Sequence, residues 1–327
     1  MSTGPADLLT IGRSGVDIYP LEVGVPLDEV SRFAKFLGGS ATNVAVAAAR
    51  LGNDVGVITR VGADPFGRFV RSAIAGFGVS IDQVLVATSR PDLPTPVTFC
   101  EIFPPDDFPL YFYRQPSAPD LQILPGELDL GAIAATRIYW STVTGLCQEP
   151  SRGSHHVAWE ARAGAAAPER RTVLDLDYRP MFWPDAATAH AEIARALPFI
   201  DTVVGNLTEC SVAVTGEAQV TLSPDALADA LLELGVRLAV VKMGPDGVLA
   251  ATPDERVVSH PVSIEVVNGL GAGDAFGGAL CHGLLHGHDL RRTLDFANSA
   301  GAYVAGQLAC ADAMPTEADI DALLASR

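Results

Sequence analysis

The residues best suited to chemistry lie near the carboxyl end, in the run Gly269-Leu-Gly-Ala-Gly-Asp274. Glycines at a helix start leave its first backbone N–H groups open to an anion, and the helix dipole favours negative charge there. We predict that Gly271, Ala272 and Gly273 bind a phosphate in this way. Asp274 would then take the proton of an attacking alcohol while the N–H groups stabilise the phosphoryl group. The spacing alone also fits a glycine-rich turn with a helix-stabilising aspartate.

A second glycine pair, Gly38 and Gly39, precedes an alanine-rich helix near the amino end. Adjacent glycines let a ligand approach the backbone, and Asn43 offers both a donor and an acceptor to hydroxyl groups. Asp17 follows the first predicted strand, where its carboxylate would accept hydrogen bonds from two vicinal hydroxyls. Together these residues predict a sugar site. Taken singly, each pattern is also typical of a turn or of a solvated carboxylate.

Three arginines, Arg13, Arg114 and Arg179, follow or end predicted strands. A guanidinium group binds a carboxylate through two parallel hydrogen bonds. A chain with a net charge of −17 needs a local positive site to hold an anion. We therefore predict an acidic sugar as the substrate, and the alternative is that these arginines form ordinary ion pairs.

Composition excludes several other classes of protein. A net charge of −17 repels nucleic acid and anionic lipid, so we expect neither as a partner. The only lysines are Lys35 and Lys242, and neither follows a glycine and precedes Ser or Thr, which excludes a Walker A loop. No apolar run approaches the ~18 residues of a membrane span. Five scattered cysteines and an amino terminus without a signal-peptide pattern predict a cytoplasmic protein with reduced thiols.

The elements that must position these residues alternate between short β-branched runs and longer segments rich in alanine and leucine. This rhythm predicts an α/β fold in which a mostly parallel sheet carries helices on both faces. Strands are predicted at Asp7–Gly12, Asp54–Val61, Arg137–Ser141, Thr172–Asp177, Thr202–Asn206 and Leu238–Met243, with another ending near Val267. Helices are predicted at Thr42–Leu51, Pro65–Gly76, Pro150–Ala163, Ala187–Leu197, Pro224–Leu234, Ala272–Leu285 and Leu290–Val304.

Two proline-containing regions, within about 13–36 and 95–115, break this rhythm with alternating patterns and no helix of their own. We interpret them as antiparallel strands that project from the main sheet as a small β lid. Residues 1–327 are thus predicted to form one α/β domain with a lid.

The glycine motifs at the two ends of the chain together resemble those of the ribokinase-like (PfkB) carbohydrate kinases. Intermediate landmarks follow in the order of that family: Asn206-Leu-Thr-Glu209 and then Lys242-Met-Gly-Pro-Asp-Gly247. The resemblance covers essentially the whole chain. It implies a ribokinase-like fold, ATP as phosphate donor, Mg²⁺ as cofactor, Asp274 as catalytic base and a homodimer formed through the lid.

The resemblance also implies individual roles. Glu209 would hold Mg²⁺ through water, and Asn268 stands where members often carry Asp, which puts a K⁺ requirement in doubt. The residues implied at the nucleotide are Asn206, Glu209, Lys242, Gly244, Gly247 and Asn298.

Two segments, Phe112-Tyr-Arg114 and Asp175-Leu-Asp-Tyr-Arg179, resemble those with which keto-deoxy sugar-acid kinases of the family hold the substrate carboxylate. The resemblance adds Phe112 and Asp177 to the substrate site and implies phosphorylation of a terminal hydroxyl. More than one isomeric keto-deoxy acid fits, as does another sugar of the family. Two functions of other classes are the remaining alternatives. The intact Asp274 argues against a non-catalytic sugar- or nucleotide-binding regulator, and the missing dinucleotide motif argues against a nicotinamide-dependent oxidoreductase.

Overall fold

The structure is a computed structural model that describes residues 6–165, 167 and 169–325. Its strands are β1 (Leu8–Ile11), β2 (Gly15–Pro20), β3 (Phe33–Gly38), β4 (Val55–Gly62), β5 (Val84–Ala87), β6 (Val97–Cys100), β7 (Leu110–Tyr113), β8 (Ile138–Thr142), β9 (Arg171–Asp175), β10 (Thr202–Asn206), β11 (Leu238–Lys242), β12 (Val248–Ala251) and β13 (Arg256–Ser259). Its helices are α1 (Ser40–Arg50), α2 (Pro65–Gly76), α3 (Leu130–Ala135), α4 (Ser151–Ala163), α5 (Ala186–Ala196), α6 (Leu207–Thr215), α7 (Pro224–Glu233), α8 (Ala272–Leu285), α9 (Leu290–Ala305) and α10 (Glu317–Ala325).

The larger sheet has nine strands in the order β13-β12-β11-β10-β9-β8-β1-β4-β5. Its pairings are parallel except for those of β12 with β11 and with β13. The strands are apolar on both faces, so neighbouring residues of one strand pack into two separate hydrophobic cores. Trp140 packs with α1, α8 and α9 in one core, and Tyr139 packs with α4 to α7 in the other. The predicted α/β class with helices on both faces is therefore confirmed.

The smaller sheet is the lid, with strand order β3-β2-β6-β7. Its hairpins β2–β3 and β6–β7 are antiparallel, but β2 pairs with β6 in parallel. The prediction of purely antiparallel strands was wrong, because β2 and β6 enter the lid separately from the main sheet and in the same direction. The side of the lid that faces the main sheet carries Tyr19 and Cys100, which pack with Cys310.

Other differences from the predictions lie at the edges and near α8. No strand ends near Val267: the backbone N–H groups of Val267 and Asn268 instead donate to the Ala305 carbonyl at the end of α9. Strand β9 ends at Asp175, and Asp177 has a φ of 23° that leaves the extended region. Strands β5, β12 and β13 and helices α3, α6 and α10 were not predicted.

Within the described residues, no helix is long and apolar enough to cross a membrane. All five cysteines are free.

Candidate active site

One cavity of about 230 Å³ opens where the carboxyl ends of β1, β9, β10 and β11 meet the starts of α1 and α8, with the lid above it. This edge of a parallel sheet is where ligands bind in open α/β folds. The cavity brings together most of the predicted site residues, whose roles stay predictions: Arg13, Asp17, Gly39, Asn43, Phe112, Arg114, Asp177, Arg179, Asn206, Glu209, Lys242, Gly271, Gly273 and Asp274.

Five predicted residues do not line it. Ala272 is the first residue of α8 and stands between Gly271 and Gly273, which both line the cavity. Gly38 lies under the Asp17 carboxylate, where there is no room for a Cβ. Gly244 and Gly247 lie in the turn between β11 and β12, and both have positive φ. Asn298, on α9, donates through Nδ2 to the His260 carbonyl at 2.7 Å.

Two of the three helices that begin at this cavity, α1 and α8, differ from most other helices in how they begin. Helix α1 starts after Gly39 (φ 103°) and α8 after Gly271 (φ 81°), and neither has a side chain that accepts a hydrogen bond from its first N–H groups. Elsewhere in the described chain a side-chain oxygen accepts such a bond at seven helix starts: Asp64, Asp129, Asp185, Asn206, Ser223, Asp289 and Thr316. The cavity thus receives two helix ends with unused donors, which attract anions.

Asp274 lies in the first turn of α8 and accepts a hydrogen bond of 2.8 Å from Asn43 Nδ2. Burial raises the pKa of Asp274 to about 6, although the bond from Asn43 acts in the opposite direction. A Cβ on Gly273 would lie 3.3 Å from Lys242 Nζ, so the lysine faces the helix start across a gap that glycine keeps open. Burial alone would lower the pKa of Lys242, but Asp175, Glu209 and Asp274 raise it. An ammonium group, open amides and a carboxylate therefore surround one space.

Asp177 is the centre of an ion-pair network. Its Oδ2 accepts a hydrogen bond from Arg13 at 2.6 Å, and its Oδ1 forms an ion pair with Arg179 at 2.8 Å. The hydroxyl groups of Ser40 (2.8 Å) and Thr144 (3.3 Å) also donate to Oδ2. Burial would raise the pKa of Asp177, but the two guanidinium groups hold it well below its usual range. Asp177 thus orients the two arginines. It also lines the cavity, and its contact with substrate stays a prediction.

The third predicted arginine, Arg114, also has a partner within the chain. It donates to Asp120 at 2.7 Å, and Asp120 is buried. Phe112 packs edge-on against Phe182, with ring centroids 5.0 Å apart, and Arg114 lies over the Phe182 ring at 5.4 Å.

Sequence reasoning did not find Ser40, Thr144 or Phe182 as parts of the site. Ser40 and Thr144 contribute through hydrogen bonds to a residue far along the chain, and Phe182 lies in a single 3-10 turn, Pro180–Phe182, too short for a periodic pattern. No local signal marks any of them.

The charge of the cavity differs from the expected positive site. Five carboxyl groups and four cationic groups line it, so fully ionised walls carry no positive excess. Burial raises the pKa of Asp17 to about 6 and raises that of Asp175 as well, as it does for Asp274. These shifts favour the protonated forms of the three carboxyl groups, so the negative charge of the walls should fall as the pH is lowered.

Asn206 and Glu209 form a capping box at the start of α6. Asn206 Oδ1 accepts from the Glu209 N–H at 2.9 Å, and Glu209 Oε2 accepts from the Asn206 N–H at 2.7 Å. Glu209 Oε1 lies 3.7 Å from Arg179. No group of three or more His, Cys, Asp or Glu side chains is arranged to hold a metal ion within residues 6–165, 167 and 169–325. This fits Mg²⁺ only if water and substrate phosphates supply most of its ligands, as is usual for that ion.

Asn268 is fully buried and uses both ends of its amide. Its Nδ2 donates to the Leu308 carbonyl at 2.8 Å, and its Oδ1 accepts from the Leu270 N–H at 3.1 Å. A carboxylate could not donate to Leu308, so this position suits Asn in this chain.

Solved structures of other proteins share this architecture. A fructokinase from Xylella fastidiosa with bound ATP gives a TM-score of 0.83 at 22% identity, covering 98% of this chain and 99% of that one. A fructokinase from Vibrio cholerae, solved with fructose, ADP and calcium, gives 0.82 at 24%, with coverage of 98% and 99%. An Escherichia coli protein of the ribokinase type, solved with ATP and Mg²⁺, gives 0.86 at 20%, with coverage of 98% and 100%. The fold is the ribokinase-like α/β fold.

Sequence comparison identifies the family. Residues 5–317 match the pfkB family carbohydrate kinases. A 5-dehydro-2-deoxygluconokinase from Photobacterium profundum is 33% identical over 314 residues, 96% of this chain and 93% of that protein. One from Shouchella clausii is 30% identical over 319 residues, 97% and 95% of the two chains. The chain belongs to the pfkB family and is a carbohydrate kinase.

Proposed function

We propose that this kinase transfers the γ-phosphoryl group of ATP to the terminal C6 hydroxyl of 5-dehydro-2-deoxy-D-gluconate. The observation that carries the proposal is Asp274, held by Asn43 at the open start of α8 and facing a space that Lys242 also reaches. The names of the relatives above support the choice of substrate.

The residues of the chain have separate tasks in this reaction. Asp274, when ionised, accepts the proton of the acceptor hydroxyl as its oxygen attacks phosphorus. The first N–H groups of α8 and the Lys242 ammonium stabilise the charge on the phosphoryl group in flight. Asn43 keeps the Asp274 carboxylate oriented.

Glu209 is the residue we assign to Mg²⁺, through water, and Asn206 and Lys242 are assigned to the nucleotide. When bound, Mg²⁺ would neutralise charge on the phosphates. Because ATP is the donor and the five cysteines are free, we propose that the enzyme works in the cytoplasm.

Recognition of an acid is assigned to the guanidinium groups around Asp177. Arg13 and Arg179 share that carboxylate, and Arg179 is a third exposed, so it retains donors for a second carboxylate. The isomeric 2-keto-3-deoxygluconate is the nearest alternative substrate, because it also combines a carboxylate, a ketone and a terminal hydroxyl. Other sugars of the family and a non-catalytic sugar- or nucleotide-binding role are the further alternatives.

Arg179→Ala is expected to raise the KM for the keto-deoxy acid by at least about tenfold, since a charge-assisted hydrogen bond is lost. Neutral hexoses should be used no worse. The measurement is ATP consumption with a panel of acids and neutral sugars. Arg195→Ala is the matched control, because this exposed arginine pairs with Glu192 away from the cavity. If neutral hexoses are better substrates than acids for the wild type, the proposed substrate class is wrong.

We also propose that two copies of the chain associate through the outer face of the lid. Helix α2 packs on part of this face, but aromatic residues stay exposed at the other end: Phe33 is 38%, Tyr111 44% and Tyr113 66% exposed. Exposed apolar clusters of this kind are typical of interfaces.

Size-exclusion chromatography with multi-angle light scattering should therefore give wild-type protein a mass of twice the 34.2 kDa of one chain. Tyr113→Lys should shift it to the monomer, while Leu234→Lys, at an apolar residue 50% exposed on another side of the molecule, should not. A monomeric wild type at micromolar concentration would contradict the interface.

A further inference from the structure

Tyr19 joins two parts of the site that no sequence motif connects. Its hydroxyl donates to Asp17 Oδ2 at 2.9 Å, and it lies 2.8 Å from Cys310 Sγ. Tyr19 and Cys310 are each only 1% exposed. A tyrosine hydroxyl carries one hydrogen, which is used on Asp17 while that carboxyl group is ionised, so the Cys310 thiol must donate to the tyrosine oxygen. The bonds thus form a directed chain from Cys310 to Tyr19 to Asp17.

Each end of this chain is fixed by close packing. Asp17 lies directly over Gly38, where a Cβ would overlap its carboxylate. Cys310 lies against Gly271, where a Cβ would come within 2.8 Å of the sulfur. The lid carboxylate and the glycine that opens α8 are therefore linked through two buried side chains. Asp17 Oδ1 accepts no hydrogen bond from the described residues and so has capacity for a ligand hydroxyl.

We propose that Tyr19 is a positioning residue: supported by the Cys310 thiol, it orients the Asp17 carboxylate as the acceptor of the sugar hydroxyls. This inference rests on the proposed function only in taking the ligand of Asp17 to be the phosphoryl acceptor. A carboxylate accepts two hydroxyl protons only while it is ionised, so whatever keeps Asp17 ionised also keeps the acceptor bound.

The surroundings of Asp17 make this support necessary. Burial raises the pKa of Asp17 to about 6, while the bond from Tyr19 and the charge of Arg13 lower it. The groups that face it are Arg13 after β1, Tyr19 on β2, Cys100 on β6 and Cys310 after α9. Arg13 is already paired with Asp177, so Tyr19 supplies the only hydrogen bond that Asp17 receives from the described part of the chain.

The first test is kinetic. Tyr19→Phe should raise the KM for the acceptor by about tenfold near neutral pH with kcat nearly unchanged, because one hydrogen bond to a charged group is lost. In the pH profile of kcat/KM, the acidic limb should shift to higher pH by about one unit. Cys310→Ala should act in the same direction, and Cys310→Ser, which keeps a donor, should restore part of the effect. The proposal would be overturned if Tyr19→Phe lowered kcat as strongly as it raised the KM and left the acidic limb of kcat/KM in place.

The control is Tyr111→Phe, which removes a similar tyrosine–carboxylate bond (2.8 Å to Glu101 Oε2) on the exposed face of the lid. It should leave the KM and the pH profile unchanged. Thermal unfolding of every variant shows whether it is folded. If Tyr19→Phe does not fold, the KM and pH profile of Cys310→Ala test the proposal instead.

The second test needs no substrate. In protein labelled with ¹³C-aspartate, the Asp17 carboxyl signal is assigned by its loss in Asp17→Asn and titrated in wild type and Tyr19→Phe. We expect the midpoint to rise in the variant. If it rises while no sugar acid is phosphorylated, the positioning role stands and the proposed function fails. If the midpoint is the same in both proteins, the positioning role is wrong whatever the substrate.

Discussion

Asp274→Asn is expected to lower kcat by about 10²–10⁴-fold, the usual contribution of a positioned general base. Asparagine keeps the acceptor for Asn43 Nδ2, so the site should stay assembled and the KM for both substrates should change little. The measurement is single-turnover phosphoryl transfer at saturating ATP and acid. Asp289→Asn is the control, because it makes the same exchange at the start of α9, away from the cavity. Equal rates for Asp274→Asn and wild type would remove the base assignment.

The pH dependence gives the same prediction a second readout. The pKa of Asp274 is raised to about 6 by burial, so wild-type kcat should fall as the pH drops through 6 and the base takes a proton. Above that pH the ionised carboxylate destabilises the folded state, since its pKa there exceeds the unfolded value of about 3.8. Asp274→Asn should therefore be more stable than wild type at pH 7, by about 1–3 kcal/mol in the free energy of unfolding. At pH 4 the difference should shrink.

Asp177→Asn is expected to lower the free energy of unfolding by about 3–5 kcal/mol, because it leaves the buried guanidinium of Arg13 without a counter-charge. Its lowered pKa fixes the sign of the pH effect: the stabilisation is present above the unfolded value and is lost as the pH falls toward the folded one. The cost should accordingly be full at pH 7 and smaller in acid. The measurement is urea unfolding at several pH values.

Asp92→Asn is the matched control for this prediction. It also removes a carboxylate from an arginine pair, but Arg90 and Asp92 are about half exposed, so solvent screens their attraction. No measurable change in stability is expected. If the two variants were equally stable, Asp177 would not be the centre of the network described above.

The sequence predicts the parts of this protein that depend on local pattern. The start of α8 at Ala272 and the bounds of α2 agree with the structure to the residue, because glycine and proline mark them and the apolar period continues from there. The parallel sheet follows from the alternation of strands and helices, which needs no knowledge of tertiary contacts.

The partners of the arginines could not be predicted in the same way. Arg13 and Asp177 are 164 residues apart, and nothing in either neighbourhood indicates that one binds the other. The parallel pairing of β2 with β6 is likewise a property of two distant segments. Residue type thus identified the candidates, but their state of charge and their free donors depend on contacts that only the folded chain defines.

The glycines that precede α1 and α8 set a limit on attempts to make this enzyme more robust. Engineers routinely place Ser, Asp or Asn before a helix to gain about 1 kcal/mol. Residues 39 and 271 have positive φ, which strains any residue other than glycine. A capping side chain there would also bind the first amides of the helix and so compete with the ligand. A thermostabilised variant should therefore be designed with these two positions left as glycine.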